Sequence, residues 1–185
     1  MSSLPIDINI FQTLHSVTLC SGSPLDKFNL FISNNSIHIW ILIILFTSLV
    51  QGKRGIYSFC ICLAGFFIAW YLTDEYLKPL FNVPRPFLVI KESCVYGFKP
   101  TSGSFPSGHM ITSSTMASLI YLFNRKNWLL NIISIAFALY VGYTRIYLGV
   151  HFPSDIMAGA LFGALIATIW FYSTEYGRKN YDTLS

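Results

Sequence analysis

Residues 56–72 read Ile56-Tyr-Ser-Phe-Cys-Ile-Cys-Leu-Ala-Gly-Phe-Phe-Ile-Ala-Trp-Tyr-Leu72. Nothing in the stretch is charged, and no polar face recurs at the 3.6-residue spacing a soluble helix keeps toward water. The charge-free run extends from Gly55 to Thr73, close to the ~20 apolar residues needed to cross a bilayer core. Four more such runs flank it: Phe28 to Gly52, Pro100 to Asn124, Asn127 to Thr144, and Ile156 to Thr174. The composition agrees. Only 11% of the 185 residues are charged, 54% are hydrophobic and 17% aromatic. That excludes a disordered chain. A soluble domain fits poorly too, since about a quarter of its residues would be charged. The net charge of +4 is small and dispersed, which argues against nucleic acid as a partner.

The pattern predicts an all-α integral-membrane helical bundle with five transmembrane helices, in one membrane-embedded domain over residues 1–185. Trp40, Trp70, Trp128 and Trp170 lie towards segment ends, where an indole suits the membrane interface. The first 27 residues are less apolar. Ile6, Ile8, Ile10, Phe11 and Leu14 alternate with Asp7, Asn9 and Gln12, which predicts a short N-terminal interfacial helix. A sixth span there is the alternative. Ser21-Gly22-Ser23-Pro24 reads as a turn. No Lys or Arg precedes Lys27, so no cleavable signal peptide is expected.

Loop charges give the orientation. With five spans, Lys53-Arg54, Arg125-Lys126 and Arg178-Lys179 share one face, which the positive-inside rule assigns to the cytoplasm. Lys27, Lys78, Arg85, Lys91, Lys99 and Arg145 share the other. The count is a tie unless some of the second six serve chemistry.

Three segments on that second face suggest that they do. In Lys78-Pro-Leu-Phe-Asn-Val-Pro-Arg85-Pro86, prolines end a helix and stiffen the connector, holding two cations near the membrane face. Each cation alone would read as snorkelling or dipole pairing. With Arg145 at a helix C-terminus they read as an anion site, because Arg offers a planar fork and Lys a point charge. In Gly103-Ser-Phe-Pro106-Ser107-Gly108-His109, Pro106 suits the first helical position. The N–H groups of Ser107, Gly108 and His109 would then face outward as an anion cradle, although Pro-Ser-Gly is also an ordinary turn. In Thr144-Arg145-Ile-Tyr-Leu-Gly149-Val-His151-Phe-Pro153-Ser-Asp155, Pro153 again suits a helix start. That puts Asp155 in the first turn, able to reach one nitrogen of His151 and leave the other free to attack. His15 and His38 have no carboxylate or Arg nearby in sequence and read as caps or interfacial polar residues.

Together, Lys78-x6-Arg85-Pro86, Pro106-Ser107-Gly108-His109 and Arg145-x5-His151-x3-Asp155 resemble the tripartite signature of the type 2 phosphatidic acid phosphatase superfamily. Glucose-6-phosphatase and the vanadium haloperoxidases belong to it as well. The signature runs over residues 78–155, and the surrounding spans extend the likeness to most of the chain. One departure is Thr144 where the family usually has Ser, a change that keeps the hydroxyl.

The resemblance implies that His151 is the nucleophile, forming a phosphohistidine, with Asp155 orienting it. His109 would protonate the leaving oxygen and later activate water. Lys78, Arg85, Ser107, Gly108 and Arg145 would bind the phosphoryl oxygens. No metal and no cofactor are expected. With Lys78, Arg85 and Arg145 assigned to the site, three basic residues remain outside against six inside. The reading is then a multi-pass protein of the plasma (inner) membrane, with its site on the non-cytoplasmic face and its C-terminus in the cytoplasm. The implied partners are the lipid bilayer and a membrane lipid phosphate: undecaprenyl diphosphate, phosphatidic acid, phosphatidylglycerol phosphate or a lipid A phosphate.

Other classes stay open: a lipid phosphotransferase using the same residues, or a non-catalytic phosphate-binding membrane protein. The second would have no use for the His109, His151 and Asp155 set. The loop from Phe87 to Phe105, with Lys91, Glu92 and Lys99, is the expected headgroup selector. Cys20 and Cys94 fall on the outer face, where a disulfide between them is one reading and two free thiols the other. Cys60 and Cys62 read as apolar filler. Gly159-x3-Gly163 matches a small-residue packing motif, with contact inside the bundle favoured over dimerisation. The sequence assigns no oligomeric state.

Overall fold

The computed structural model describes residues 5–16 and 20–184, with side chains omitted at residues 5, 53 and 177–184. Residues 1–4 of the N-terminal segment, and the side chains of Lys53, Arg178 and Lys179, therefore lie outside the described residues. Among the described residues every regular element is helical. The helices are α1 (Pro5–His15), α2 (Pro24–Val50), α3 (Gly55–Leu72), α4 (Lys78–Phe81), α5 (Pro86–Val89), α6 (Gly108–Phe123), α7 (Trp128–Tyr147) and α8 (Pro153–Leu184). A π-helical turn, Thr73–Leu77, joins α3 to α4, and a 3₁₀ turn, Gly52–Arg54, joins α2 to α3.

Four helical stretches are long and apolar enough to cross a membrane: Pro24–Val50, Gly55–Val89, Trp128–Tyr147 and Pro153–Tyr176. Their outward side chains are apolar, Leu42, Leu49, Ile56 and Leu161 among them, as a hydrocarbon solvent requires. The fifth expected span, α6, has only 16 helical residues, about 24 Å of helix. It is the central rod, packed against α2, α3, α7 and α8.

The bundle is closed by inward small and polar residues. A Cβ at Gly163 would lie 2.4 Å from Ile111 O and one at Gly159 2.9 Å from Met110 Cβ, so only glycine allows α8 this close to α6. The Ser114 hydroxyl donates to Ala160 O (2.7 Å) and that of Thr115 to Gly163 O (3.1 Å). The Gly159-x3-Gly163 motif thus serves the bundle, and it sets the start of α6 against the start of α8. On α2, Asp26, Asn29, Ser33 and Ser36 are buried and face α7. Tyr147 Oη donates to Asp26 (2.7 Å) and Tyr140 Oη to Asn29 (3.0 Å). The helix is polar inward and apolar outward along this stretch, the reverse of a soluble helix.

Two tryptophans depart from the expected interfacial role. Trp40 lies mid-helix because α2 starts as early as Pro24, capped by Ser23 and Asp26. It is buried and donates to Ser113 Oγ (2.9 Å). Trp170 donates to Ile61 O (3.0 Å) and packs on the core. Trp70 and Trp128 are exposed, as an interfacial indole would be. Cys20 and Cys94 are joined in a disulfide with a Cα–Cα distance of 6.3 Å.

Candidate active site

Lys78 follows the π-helical turn, Arg85 ends an extended connector, Ser107 to His109 open α6, Arg145 lies in the last turn of α7, and His151 and Asp155 flank the start of α8. The fold gathers all eight expected residues at one end of the bundle. A cavity of about 220 Å³ there is lined by Lys78, Arg85, Gly108, His109, Arg145 and His151.

The His151 side is fully hydrogen-bonded. Asp155 Oδ2 faces His151 Nδ1 at 3.2 Å and accepts Phe152 N–H at 2.8 Å and the Ser104 hydroxyl. A carboxylate against Nδ1 fixes the tautomer with that proton on Nδ1, so Nε2 carries the lone pair. Burial pushes His151 down to about 4, opposed by its hydrogen bond and charge interaction with Asp155. The ring is therefore neutral and nucleophilic at neutral pH. Nε2 lies 3.3 Å from Arg85 Nη1.

Arg85 is itself fully engaged. It donates from Nε to Ser102 O (2.8 Å), from Nη1 to Val150 O (2.9 Å), and from Nη2 to Gly103 O (3.1 Å) and Ser102 Oγ (3.4 Å). Arg85 thus clamps the 102–103 segment to the 150–151 segment.

The opposite side is incomplete. Arg145 Nη1 donates to Ser33 Oγ (2.5 Å), yet its buried Nε has no partner among the described residues, and neither does the buried Ser107 Oγ, which adjoins the lining residue Gly108. Leaving such donors unpaired costs about 1–3 kcal/mol each. An anion in the cavity would supply acceptors. Lys78 Nζ pairs with Asp74 Oδ1 at 2.6 Å. The same ammonium lies beside the start of α6, 3.5 Å from where a Cβ of Gly108 would be.

Two expectations are corrected. Pro106 is not the first residue of α6. Ser107 N–H donates to Asp155 O at 3.2 Å, which holds Ser107 extended at ψ 113° as the N-cap, and the helix begins at Gly108. Ser107 thus contributes a side-chain hydroxyl, not a free amide. The Phe87–Phe105 loop does line the cavity, but through Tyr96, Phe98, Pro100 and Ser102. Lys91, Glu92 and Lys99 are absent from its wall; Lys99 lies over the Phe87 ring at 6.0 Å. Thr144 turns its hydroxyl back to Val141 O (2.7 Å), so it does not enter the cavity.

Sequence reading missed Ser33, Asp74 and Ser104. Asp74 precedes Lys78 by four residues, a readable ion-pair spacing. Ser33 and Ser104 carry no such signal, because their partners are 112 and 51 residues away.

Comparison with known proteins agrees with this geometry. Undecaprenyl-diphosphatase of Sulfolobus acidocaldarius is 34% identical over 131 residues, 70% of this chain and 61% of that protein; the match thus spans about three fifths of the relative's length. Undecaprenyl-diphosphatase BcrC of Bacillus subtilis is 29% identical over 96% of this chain and 89% of its own. Aquifex aeolicus LpxE shares the fold, with a TM-score of 0.75 at 24% identity over 93% of this chain and 98% of that one. The family model described as the PAP2 superfamily matches residues 55–179, a stretch holding all three motifs, and the chain belongs to that superfamily.

Proposed function

We propose that this protein is a metal-independent membrane phosphatase that removes phosphate from a lipid phosphomonoester or diphosphate through a phosphohistidine. The observation that carries the reading is His151, held on Asp155 by Nδ1, at the wall of a cavity lined by three cations. Nε2 attacks phosphorus as the bond to the leaving oxygen breaks, and His109, whose ring lines the cavity, protonates that oxygen. Asp155 stabilises the imidazolium, and Lys78, Arg85 and Arg145 hold the equatorial oxygens as charge spreads over them. The Arg85 N–H facing Nε2 passes to a phosphoryl oxygen. His109, now unprotonated, then takes a proton from the water that breaks the N–P bond. The three side-chain cations supply the charge that a metal ion supplies elsewhere.

The chain is one membrane-embedded domain with five spans: α2, α3, α6, α7 and α8. The site lies at the end opposite residues 53–54, 125–126 and 178–179, so the positive-inside rule puts it on the non-cytoplasmic face, with the C-terminus inside. A lipid there keeps its chains in the bilayer and its phosphate in the cavity. Two relatives carry the name undecaprenyl-diphosphatase, which makes a polyprenyl diphosphate the first substrate to try.

The test is inorganic phosphate release in EDTA from undecaprenyl diphosphate, phosphatidic acid, phosphatidylglycerol phosphate and a lipid A phosphate, with wild type beside His151→Ala. Release by wild type and a loss of about 10⁴-fold or more in the variant are expected. Equal release by both refutes the nucleophile, and a requirement for added Mg²⁺ refutes the metal-free chemistry.

A further inference from the structure

The connection between α7 and α8, residues 148–152, carries His151 and is the kind of element that moves most easily. Helix α1 grips it at both ends. At the far end Asp7, itself buried, accepts Ser154 N–H on Oδ1 (2.9 Å) and the Ser154 hydroxyl on Oδ2 (2.6 Å). Ser154 is the neighbour of Asp155 in the first turn of α8. At the near end His15 Nδ1 lies 2.9 Å from Tyr147 O, and its Nε2 accepts Cys94 N–H at 3.2 Å. A carbonyl on one side and an amide on the other leave one tautomer, with the proton on Nδ1. Between the two, Phe11 is fully buried against Phe152, with ring centroids 5.5 Å apart.

Two further features tighten the grip. Gly149 turns at φ +79°, where a Cβ would lie 2.1 Å from Cys94 O and 3.0 Å from His15 Cε1. Cys94 is in turn bonded to Cys20, beyond the end of α1. The family match begins at residue 55, so Asp7, Phe11, His15 and Cys20, the α1 side of these contacts, lie outside the part of the chain that carries the family pattern.

We propose that α1 is a latch on the nucleophile loop, with Asp7, Phe11 and His15 as positioning residues that hold His151 in line with the phosphoryl group. The proposal rests on the phosphatase reading above. It needs only a small displacement to matter, since about 1 Å of misplacement at a reacting atom costs about 100-fold in rate. Asp7 acts by accepting hydrogen bonds and not by its charge. Asn in its place still accepts Ser154 N–H on Oδ1 and offers an N–H to the Ser154 hydroxyl, which can rotate to accept it.

The experiment has two arms, applied to wild type, Asp7→Ala, Asp7→Asn and Phe11→Ala in the full-length protein. The first is amide hydrogen exchange over Leu148–Ser154, which needs no substrate. Asp7→Ala and Phe11→Ala speed exchange there by about 10-fold or more while the α6 amides stay protected, and Asp7→Asn does not. The second is single-turnover hydrolysis of undecaprenyl diphosphate with enzyme in excess, so that a misfolded fraction leaves the rate constant unchanged. Asp7→Ala lowers that constant by about 10- to 100-fold, and Asp7→Asn stays within about 3-fold of wild type. Unchanged exchange in both alanine variants overturns the latch. Faster exchange with an unchanged rate constant overturns the positioning role. If wild type itself releases no phosphate, the phosphatase reading for this substrate fails, and the exchange arm still decides whether α1 holds the loop.

Discussion

The wall of the cavity that carries His151 and the wall that carries Arg145 are built on opposite plans. On the first, Asp155 Oδ2 faces three donors and Arg85 spends its N–H groups on Ser102, Gly103, Val150 and His151. On the second, Arg145 Nε is buried with no acceptor among the described residues, and so is Ser107 Oγ beside the lining residue Gly108. The saturated wall is finished before substrate arrives, as a nucleophile that must be aimed requires. The unsaturated wall is held in readiness for charge supplied from outside. The two plans predict opposite stability consequences for mutations that all lower activity.

Asp155→Asn strikes the saturated wall and has the largest effect. An amide has one acceptor oxygen, so the NH₂ must face one of the donors that the carboxylate accepted. The imidazolium loses its counter-charge and the tautomer its restraint. Turnover should fall about 10³- to 10⁴-fold, and the fold should lose about 1–3 kcal/mol from the broken network. Asp155 acts to raise the His151 value, which burial has lowered to about 4. The acid limb of kcat/KM should therefore lie near pH 4 in wild type and move lower in the variant. A limb that moves up would refute the assignment of that limb to His151.

Arg145→Lys strikes the other wall. Lys keeps the charge but loses the planar fork, so kcat/KM should drop about 10²-fold or more. Stability in the absence of phosphate should fall only by the loss of the Nη1–Ser33 bond, about 0.5–1.5 kcal/mol, because the replaced Nε has no partner among the described residues. Inorganic phosphate should raise the melting temperature of wild type and of Asp155→Asn, and much less that of Arg145→Lys. Equal protection of all three would mean that the unpartnered donors do not mark the anion position.

Ser107→Ala gives the sharpest contrast in sign. The hydroxyl is fully buried and unpartnered, so its removal should be neutral or stabilising by up to about 1 kcal/mol. Activity should still fall about 10-fold from the loss of one phosphoryl contact. Loss of stability alongside activity would place Ser107 on the structural side of the comparison.

The contrast also explains what was legible in the chain. The eight residues assigned from the sequence stand at helix ends and beside prolines, where cations and histidines are conspicuous against an apolar background. Ser104 and Ser33 escaped because a serine in such a chain has no distinguishing neighbour, and their partners, Asp155 and Arg145, are brought to them only by packing. The inward polar stripe of α2 escaped for the same reason. Asp26, Asn29 and Ser33 look like impurities in a span until Tyr147, Tyr140 and Arg145 of α7 are set against them. The role of α1 was hidden by its mixed composition, which fits an interfacial helix equally well until the partner of its Asp7 face is known.

Lys78 lies between the two plans, and it sets the smallest predicted effect. Its ammonium has a partner, Asp74 at 2.6 Å, but the Asp74 side chain is 38% exposed. Such an i,i+4 pair contributes about 0.3–0.5 kcal/mol at most, and salt screens it. Asp74 holds the ammonium and also cancels part of its charge. Because the pair is exposed on the Asp74 side and weak, the loss of holding is minor and the gain in free charge is what remains. Asp74→Asn should therefore tighten competitive inhibition by inorganic phosphate by about 2- to 5-fold at low ionic strength, with the difference vanishing in high salt. Weaker inhibition would show instead that Asp74 belongs with Asp155 as an aiming carboxylate, and the saturated wall would extend to Lys78.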